Sequence, residues 1–156
     1  MNEEPIMDVM KLEEFLPYRL SVLSNTVSNA IAELYRGQFE LSIPDWRVIA
    51  VLARFPGSSA QSLVEHTRMD KVAVSRSVSR LQGRGLVQRL TSDEDRRRSE
   101  LRLSSAGDAI YAQIIPLARD YETQLLDSLS SQQRTVLAEL LLELQQAAEQ
   151  LVPGAN

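Results

Sequence analysis

A chain of 156 residues, 44% of them hydrophobic, can bury the core of one ordinary domain, and its single histidine (His66) and lack of cysteine exclude disulfides, thiol redox chemistry and Cys/His metal clusters. No apolar run approaches the roughly 20 residues of a membrane span, and no basic-then-apolar leader opens the chain, so no membrane partner and a cytoplasmic location are expected. The net charge of −4 is uneven: Arg68 to Leu103 carries ten basic and five acidic residues (+5), the remainder seven and sixteen (−9), so a polyanion is drawn to one segment and repelled by the rest.

Residues 1–10 read as a loose arm. Leu16, Leu20, Leu23, Val27, Ile31 and Leu34 recur at steps of four and three, the apolar stripe of a helix from about Pro17 to Phe39. The stripe is close to a heptad seam, so it suits a partner helix as well as its own core. Ile43-Pro44-Asp45 opens a second helix carrying Trp46, Val48, Ile49, Val51, Leu52 and Phe55, which Pro56-Gly57 stops. Ser58-Ser59 offers an N-cap for a short third helix, Ala60 to Thr67, with Leu63 and Val64 as core contacts.

Asp70 caps a fourth helix, Lys71 to about Arg84. Val74, Val78 and Leu81 share one side, and Lys71, Ser75, Arg76, Ser79 and Arg80 fall on or near the outer arc. Gly83 and Gly85 mark its end. The period then changes. Leu86 to Leu90 reads as a strand, Thr91 to Arg97 as a polar tip, and Leu101-Arg102-Leu103 as a returning strand. A long helix follows from Ser104 to about Leu129, with Ile110, Ile114, Leu117, Tyr121 and Leu125 apolar and Pro116 predicting a kink or break. A last helix, Ser131 to Leu151, carries an apolar stripe too wide for a solvated helix.

Two short helices and a hairpin match a winged helix-turn-helix in order and length. Such a fold lays its second helix in the major groove, where base edges are distinguishable. Arg76 suits a bidentate contact with guanine. Ser75, Ser77 and Ser79 suit bases or phosphates, Lys71 and Arg80 are further expected DNA contacts on or near the outer arc, and Val72 and Ala73 allow close approach and contact with a thymine methyl. At the hairpin tip, Arg97 is expected in the minor groove, Arg96 and Arg98 point the other way, and Asp95 braces the tip. A lone arginine triplet is more often a solvated face; the serine/arginine helix upstream is what turns the reading toward DNA.

Ser59-Ala60-Gln61-Ser62-Leu63, Met69 through Arg76, Leu81 with Gly85-Leu86-Val87, and Asp95-Arg96-Arg97-Arg98 with Leu101 to Gly107 together resemble the MarR family of bacterial transcriptional regulators. The wing signature, Asp-Arg-Arg followed by Leu-x-Leu-Ser-x-x-Gly, is fairly specific. Two positions depart from the family habit: Arg68 stands where glycine is common, and Ser104 where threonine is. The resemblance implies a mainly α fold with a small β-hairpin wing. Residues 1–39 would form an arm and dimerisation helix, 40–103 the winged helix-turn-helix, and 104–156 further dimerisation helices. It also implies a homodimer on double-stranded DNA with a pseudo-palindromic operator, commonly acting as a repressor. Independently, Leu16, Leu20, Leu137, Leu141 and Leu144 offer more apolar surface than one small domain covers, as a two-fold dimer requires.

Many family members release DNA when a small aromatic or phenolic acid, or its CoA ester, binds. Tyr18, Arg19, Trp46 and Tyr111 are the candidate lining residues, with core packing the blander role for Trp46. No nucleophile–base pair, carboxylate dyad motif or phosphate-cradling loop appears, so neither enzyme activity, cofactor nor metal is expected. Two further classes remain as alternatives. A winged helix that binds protein would carry an apolar outer face on its fourth helix, and an enzyme would need the constellation just named.

Overall fold

The computed structural model of the chain describes residues 9–91 and 99–151. Among them are six α-helices and one antiparallel hairpin: α1 (Leu16–Phe39), α2 (Ile43–Arg54), α3 (Ala60–Thr67), α4 (Lys71–Gly83), β1 (Val87–Thr91), β2 (Ser99–Leu103), α5 (Ser105–Leu126) and α6 (Ser131–Gln150). A 3-10 helix at Leu12–Glu14 precedes α1, just beyond the residues 1–10 expected as a loose arm. The chain divides into two compact units, Met1–Ile115 and Pro116–Asn156.

Local capping places most helix ends. Ser42 accepts from the Asp45 N–H while the Asp45 carboxylate accepts from the Ser42 N–H, a reciprocal box opening α2. Ser59 caps α3 through the Ser62 N–H, Asp70 caps α4 through the Ala73 N–H at 2.8 Å, and Ser130 and Gln133 form a second box at α6. The left-handed residue after α4 is Gly85 (φ 69), one step beyond the helix C-cap Arg84. Arg68, in the family's glycine position, is itself left-handed at φ 55. α5 runs through Pro116 without a break, and the division between the two units falls at that residue.

In the first unit, α2, α3 and α4 pack around Val48, Ile49, Leu52, Leu63, Val74, Val78 and Leu81, and Leu86, Val87 and Leu101 join them from the hairpin. α1 contributes Ala32, Tyr35 and Phe39. The expected stripe is therefore not the buried face at its N-terminal end: Leu16, Leu20 and Leu23 are 48%, 38% and 58% exposed. The hairpin pairs from Val87 with Leu103 to Thr91 with Ser99. A single bridge to Ser58 stitches it to the α2–α3 turn, with the Leu101 N–H donating to the Ser58 carbonyl and the Gly57 N–H to the Leu101 carbonyl, each at 2.9 Å.

The Leu-x-Leu-Ser-x-x-Gly run has a packing reason. The Ser104 hydroxyl donates to the Gly85 carbonyl at 2.6 Å and accepts from the Gly107 N–H at 3.1 Å, tying the start of α5 to the end of α4. A Cβ at Gly107 would collide with the Leu86 carbonyl, so only glycine fits there.

Candidate nucleic-acid interface

α4 is built from two arcs. Val74, Ser77, Val78 and Leu81 face inward; Lys71, Val72, Ser75, Arg76, Ser79 and Arg80 are exposed, and Ala73 is half-buried. The Asp70 cap fixes where the helix begins, so Lys71, Val72, Ser75 and Arg76 occupy its first two turns, the part of a recognition helix that meets base edges, and Ser79 and Arg80 its third. Ser77 is a correction to the expected contact set. It is 0% exposed, because it lies three residues from Val74 and four from Leu81 and so falls inside the buried arc. Arg80 is half-exposed, and its Nη1 lies 3.5 Å from Oδ2 of the fully buried Asp45.

A groove of about 140 Å³ runs beside the exposed arc. Val64, Val74 and Val78 form its floor, and Lys71, Ser75, Ser79 and Arg89 stand along it. Arg89 was not among the expected site residues. It projects from β1 and donates from Nη1 to the Ser99 hydroxyl at 2.6 Å. Its signal in the sequence was alternation along the strand; its meeting with α4 depends on how the hairpin folds back. Asp95, Arg96 and Arg97 lie outside the described residues.

Of the four candidate ligand residues, two are brought together. Trp46 stacks between Tyr35 and Tyr111, with ring centroids 5.9 Å away on both sides and interplanar angles of 29° and 18°. Trp46 and Tyr111 also pack on the core, each partly buried. Tyr18 and Arg19 stand exposed in the first turn of α1, outside this stack. Tyr35, unremarked in the sequence, is its third ring. Burial pushes the Tyr35 hydroxyl above its ordinary 10.0, opposed by the charges of Arg47 and Arg36 and assisted by Asp45.

Tyr111 also borders an open depression of about 540 Å³ with Ala50, Val51, Arg54, Phe55 and His66. There the His66 ring stacks on Phe55 at 4.4 Å, and the Arg54 guanidinium lies 5.2 Å from the Phe55 centroid. Among the described residues no group of three or more His, Cys, Asp or Glu side chains is arranged to hold a metal, and no helix is long and apolar enough to cross a membrane.

Residues 39–98 match the sequence model of the MarR family. The chain is 27% identical over 108 residues to the transcriptional regulator HosA of Escherichia coli O111:H-, covering 69% of this chain and 80% of that protein. It is 28% identical over 120 residues to the homoprotocatechuate degradative operon repressor of Escherichia coli, covering 74% and 80%. Its fold matches the crystal structure of a MarR/EmrR family transcriptional regulator from Acinetobacter sp. ADP1 with a TM-score of 0.84, 25% identity, and coverage of 91% of this chain and 100% of that one.

Proposed function

We propose that the chain is a DNA-binding transcriptional regulator of the MarR family, acting as a homodimeric repressor on a pseudo-palindromic operator. The observation that carries this reading is the exposed arc of α4. Lys71, Ser75, Arg76 and Ser79 present hydroxyls and cations at the helix start, with Arg89 at its flank, which is chemistry for phosphates and base edges. In the proposed complex Arg76 reads guanine, Val72 and Ala73 allow close approach, and Arg97 of the wing, with Asp95 bracing the tip, reaches the minor groove while Arg96, pointing the other way, makes a separate DNA contact. Two subunits related by a two-fold axis put their α4 helices roughly 34–36 Å apart, one turn of duplex.

The dimer reading rests on apolar surface left open in each unit. α6 has no buried residue, and Leu137, Leu141 and Leu144 are 38%, 49% and 42% exposed. On α1, Leu16 and Leu20 are open in the same way. A self-complementary contact between copies removes this surface from water, at about 25 cal/mol per Å².

The proposed effector is a small aromatic or phenolic acid, or its CoA ester, that releases DNA. The depression beside Tyr111 has rings for stacking in Phe55 and His66 and a cation for a carboxylate in Arg54. The similarity to a repressor named for an aromatic degradative operon supports this class.

The experiment is duplex binding against salt. Affinity is expected to fall steeply and log-linearly as salt rises, reflecting release of counterions from neutralised phosphates. A protein that binds no duplex even at low salt is instead a protein-interaction module, and the exposed Val72 becomes its contact. A thermal-shift screen of aromatic acids and their CoA esters tests the effector; if none raises the melting temperature or weakens duplex binding, the proposed release mechanism is wrong.

A further inference from the structure

Arg80 and Arg84 stand one turn apart on and just after α4, and both reach back to the corner between α1 and α2. Arg80 Nη1 lies 3.5 Å from Asp45 Oδ2, and that side chain is 1% exposed. The same carboxylate oxygen accepts from the Ser42 N–H at 3.0 Å and the Ser42 hydroxyl at 2.7 Å. Arg84 donates from Nη1 to the Glu40 carbonyl at 2.9 Å and from Nη2 to the Phe39 carbonyl at 2.8 Å. Two adjacent cations of the recognition helix thus grip one short stretch, residues 39–45.

Capping α2 does not require this arrangement. The box formed by Ser42 and Asp45 is complete without Arg80, and neutral side chains serve equally well at its third position, as Gln133 does at α6. What a buried carboxylate adds is a demand for a charged partner, because an unpaired buried charge is strongly unfavourable. In this orientation of α4 the Arg80 guanidinium reaches Asp45. Ser77, three residues before Arg80 and 0% exposed, makes the neighbouring part of this helix face polar as well. A packing surface of valine and leucine tolerates small rotations; a charge pair set into it favours one angle.

We propose that Asp45 is a positioning residue for DNA binding. Acting through Arg80, it sets the angle at which α4 presents Lys71, Ser75 and Arg76, and Arg80 serves this pair instead of a phosphate. The proposal rests on α4 being the helix that meets DNA.

The test uses the full chain with Asp45→Asn, Arg80→Gln and the double substitution, and a duplex enriched from a random-sequence pool by the unmodified protein. If the unmodified protein enriches no duplex, the DNA-binding reading itself fails, which is distinct from failure of this proposal. With a duplex in hand, each single substitution is expected to weaken binding about tenfold, and the double to be no weaker than the weaker single. Affinity for a scrambled duplex should stay within about twofold, because misorientation removes base contacts while leaving the cationic surface in place. The slope of log affinity against log salt should not change in Arg80→Gln.

A slope smaller by about one unit in that variant makes Arg80 a phosphate contact and overturns the proposal. So do single effects that multiply in the double variant, equal losses on enriched and scrambled duplexes, or folded single variants within about twofold of the unmodified protein on the enriched duplex. If Asp45→Asn fails to fold by circular dichroism, Arg80→Gln, altered at a half-exposed position, still decides the matter through its salt slope and its ratio of enriched to scrambled binding.

Discussion

α4 and α6 make opposite use of the same helical geometry. α4 buries Val74, Ser77, Val78 and Leu81 within its own unit and leaves a polar, cationic arc outside. α6 is rich in leucine, yet none of its residues is buried. A helix whose apolar side is already satisfied turns its remaining side to a polar partner. A helix whose apolar side is unsatisfied requires another apolar surface, and here the proposed one is a second copy of the chain. In the proposed complex the two helices divide the labour: one reads DNA, the other doubles the number of readers.

The sharpest way to break this contrast is Leu137→Glu with Leu141→Glu. Carboxylates on the exposed stripe should yield monomers in sedimentation and lower operator affinity about a thousandfold, because two linked half-sites bind as one multivalent unit. A dimer that survives both changes would move the interface away from α6.

On the other helix, Arg76→Ala should cost about 2 kcal/mol against the preferred site and relax selectivity at one base pair. Selection from a random-sequence pool with the variant would reveal it; an unchanged motif would take Arg76 out of base readout.

A smaller effect concerns how α4 is entered. Arg68 holds a left-handed conformation at φ 55 immediately before the Met69-Asp70 lead into the helix. Both Arg68→Gly and Arg68→Ala lose the side chain, so the difference between them isolates the backbone. The glycine variant is expected to be more stable than the alanine one by about 1 kcal/mol in urea denaturation, since only glycine adopts this region without steric cost.

The least effect lies in the core of the first unit, at Tyr35. Its hydroxyl is pushed above 10.0 by burial, so the folded state holds the proton longer than the unfolded state. This contributes stability that is complete below 10.0 and is lost as pH rises through the folded value. Tyr35→Phe should therefore show a smaller fall in stability between about pH 9 and about pH 11 than the parent, measured by denaturation at both. Equal falls would mean that burial does not disfavour the ionised ring.

Much of this was legible in the sequence because it is local. Ser59 and Asp70 announce helix starts by accepting hydrogen bonds three residues ahead, and Asp70 in particular sets the frame in which Lys71, Ser75 and Arg76 become an outer arc. The same periodicity already contained Ser77's burial, since its spacing from Val74 and Leu81 puts it in the stripe; its polarity suggested the opposite side. Periodicity did not tell whether the α1 stripe would be covered within the chain. Leu16 and Leu20 have the spacing of core residues and are open, while Ala32, Tyr35 and Phe39 are inside.

What the amino-acid order determined by itself, then, was which helices and strands form, to within a few residues at their ends, and which segment carries the cations. Those are matters of caps, turns and spacing, settled within a few residues of chain. Tertiary structure alone decided that Arg80 meets Asp45, that Arg89 stands beside α4, and that Trp46 lies between Tyr35 and Tyr111. Each joins residues on different elements, and such meetings follow from how buried faces pack, which short-range spacing does not encode.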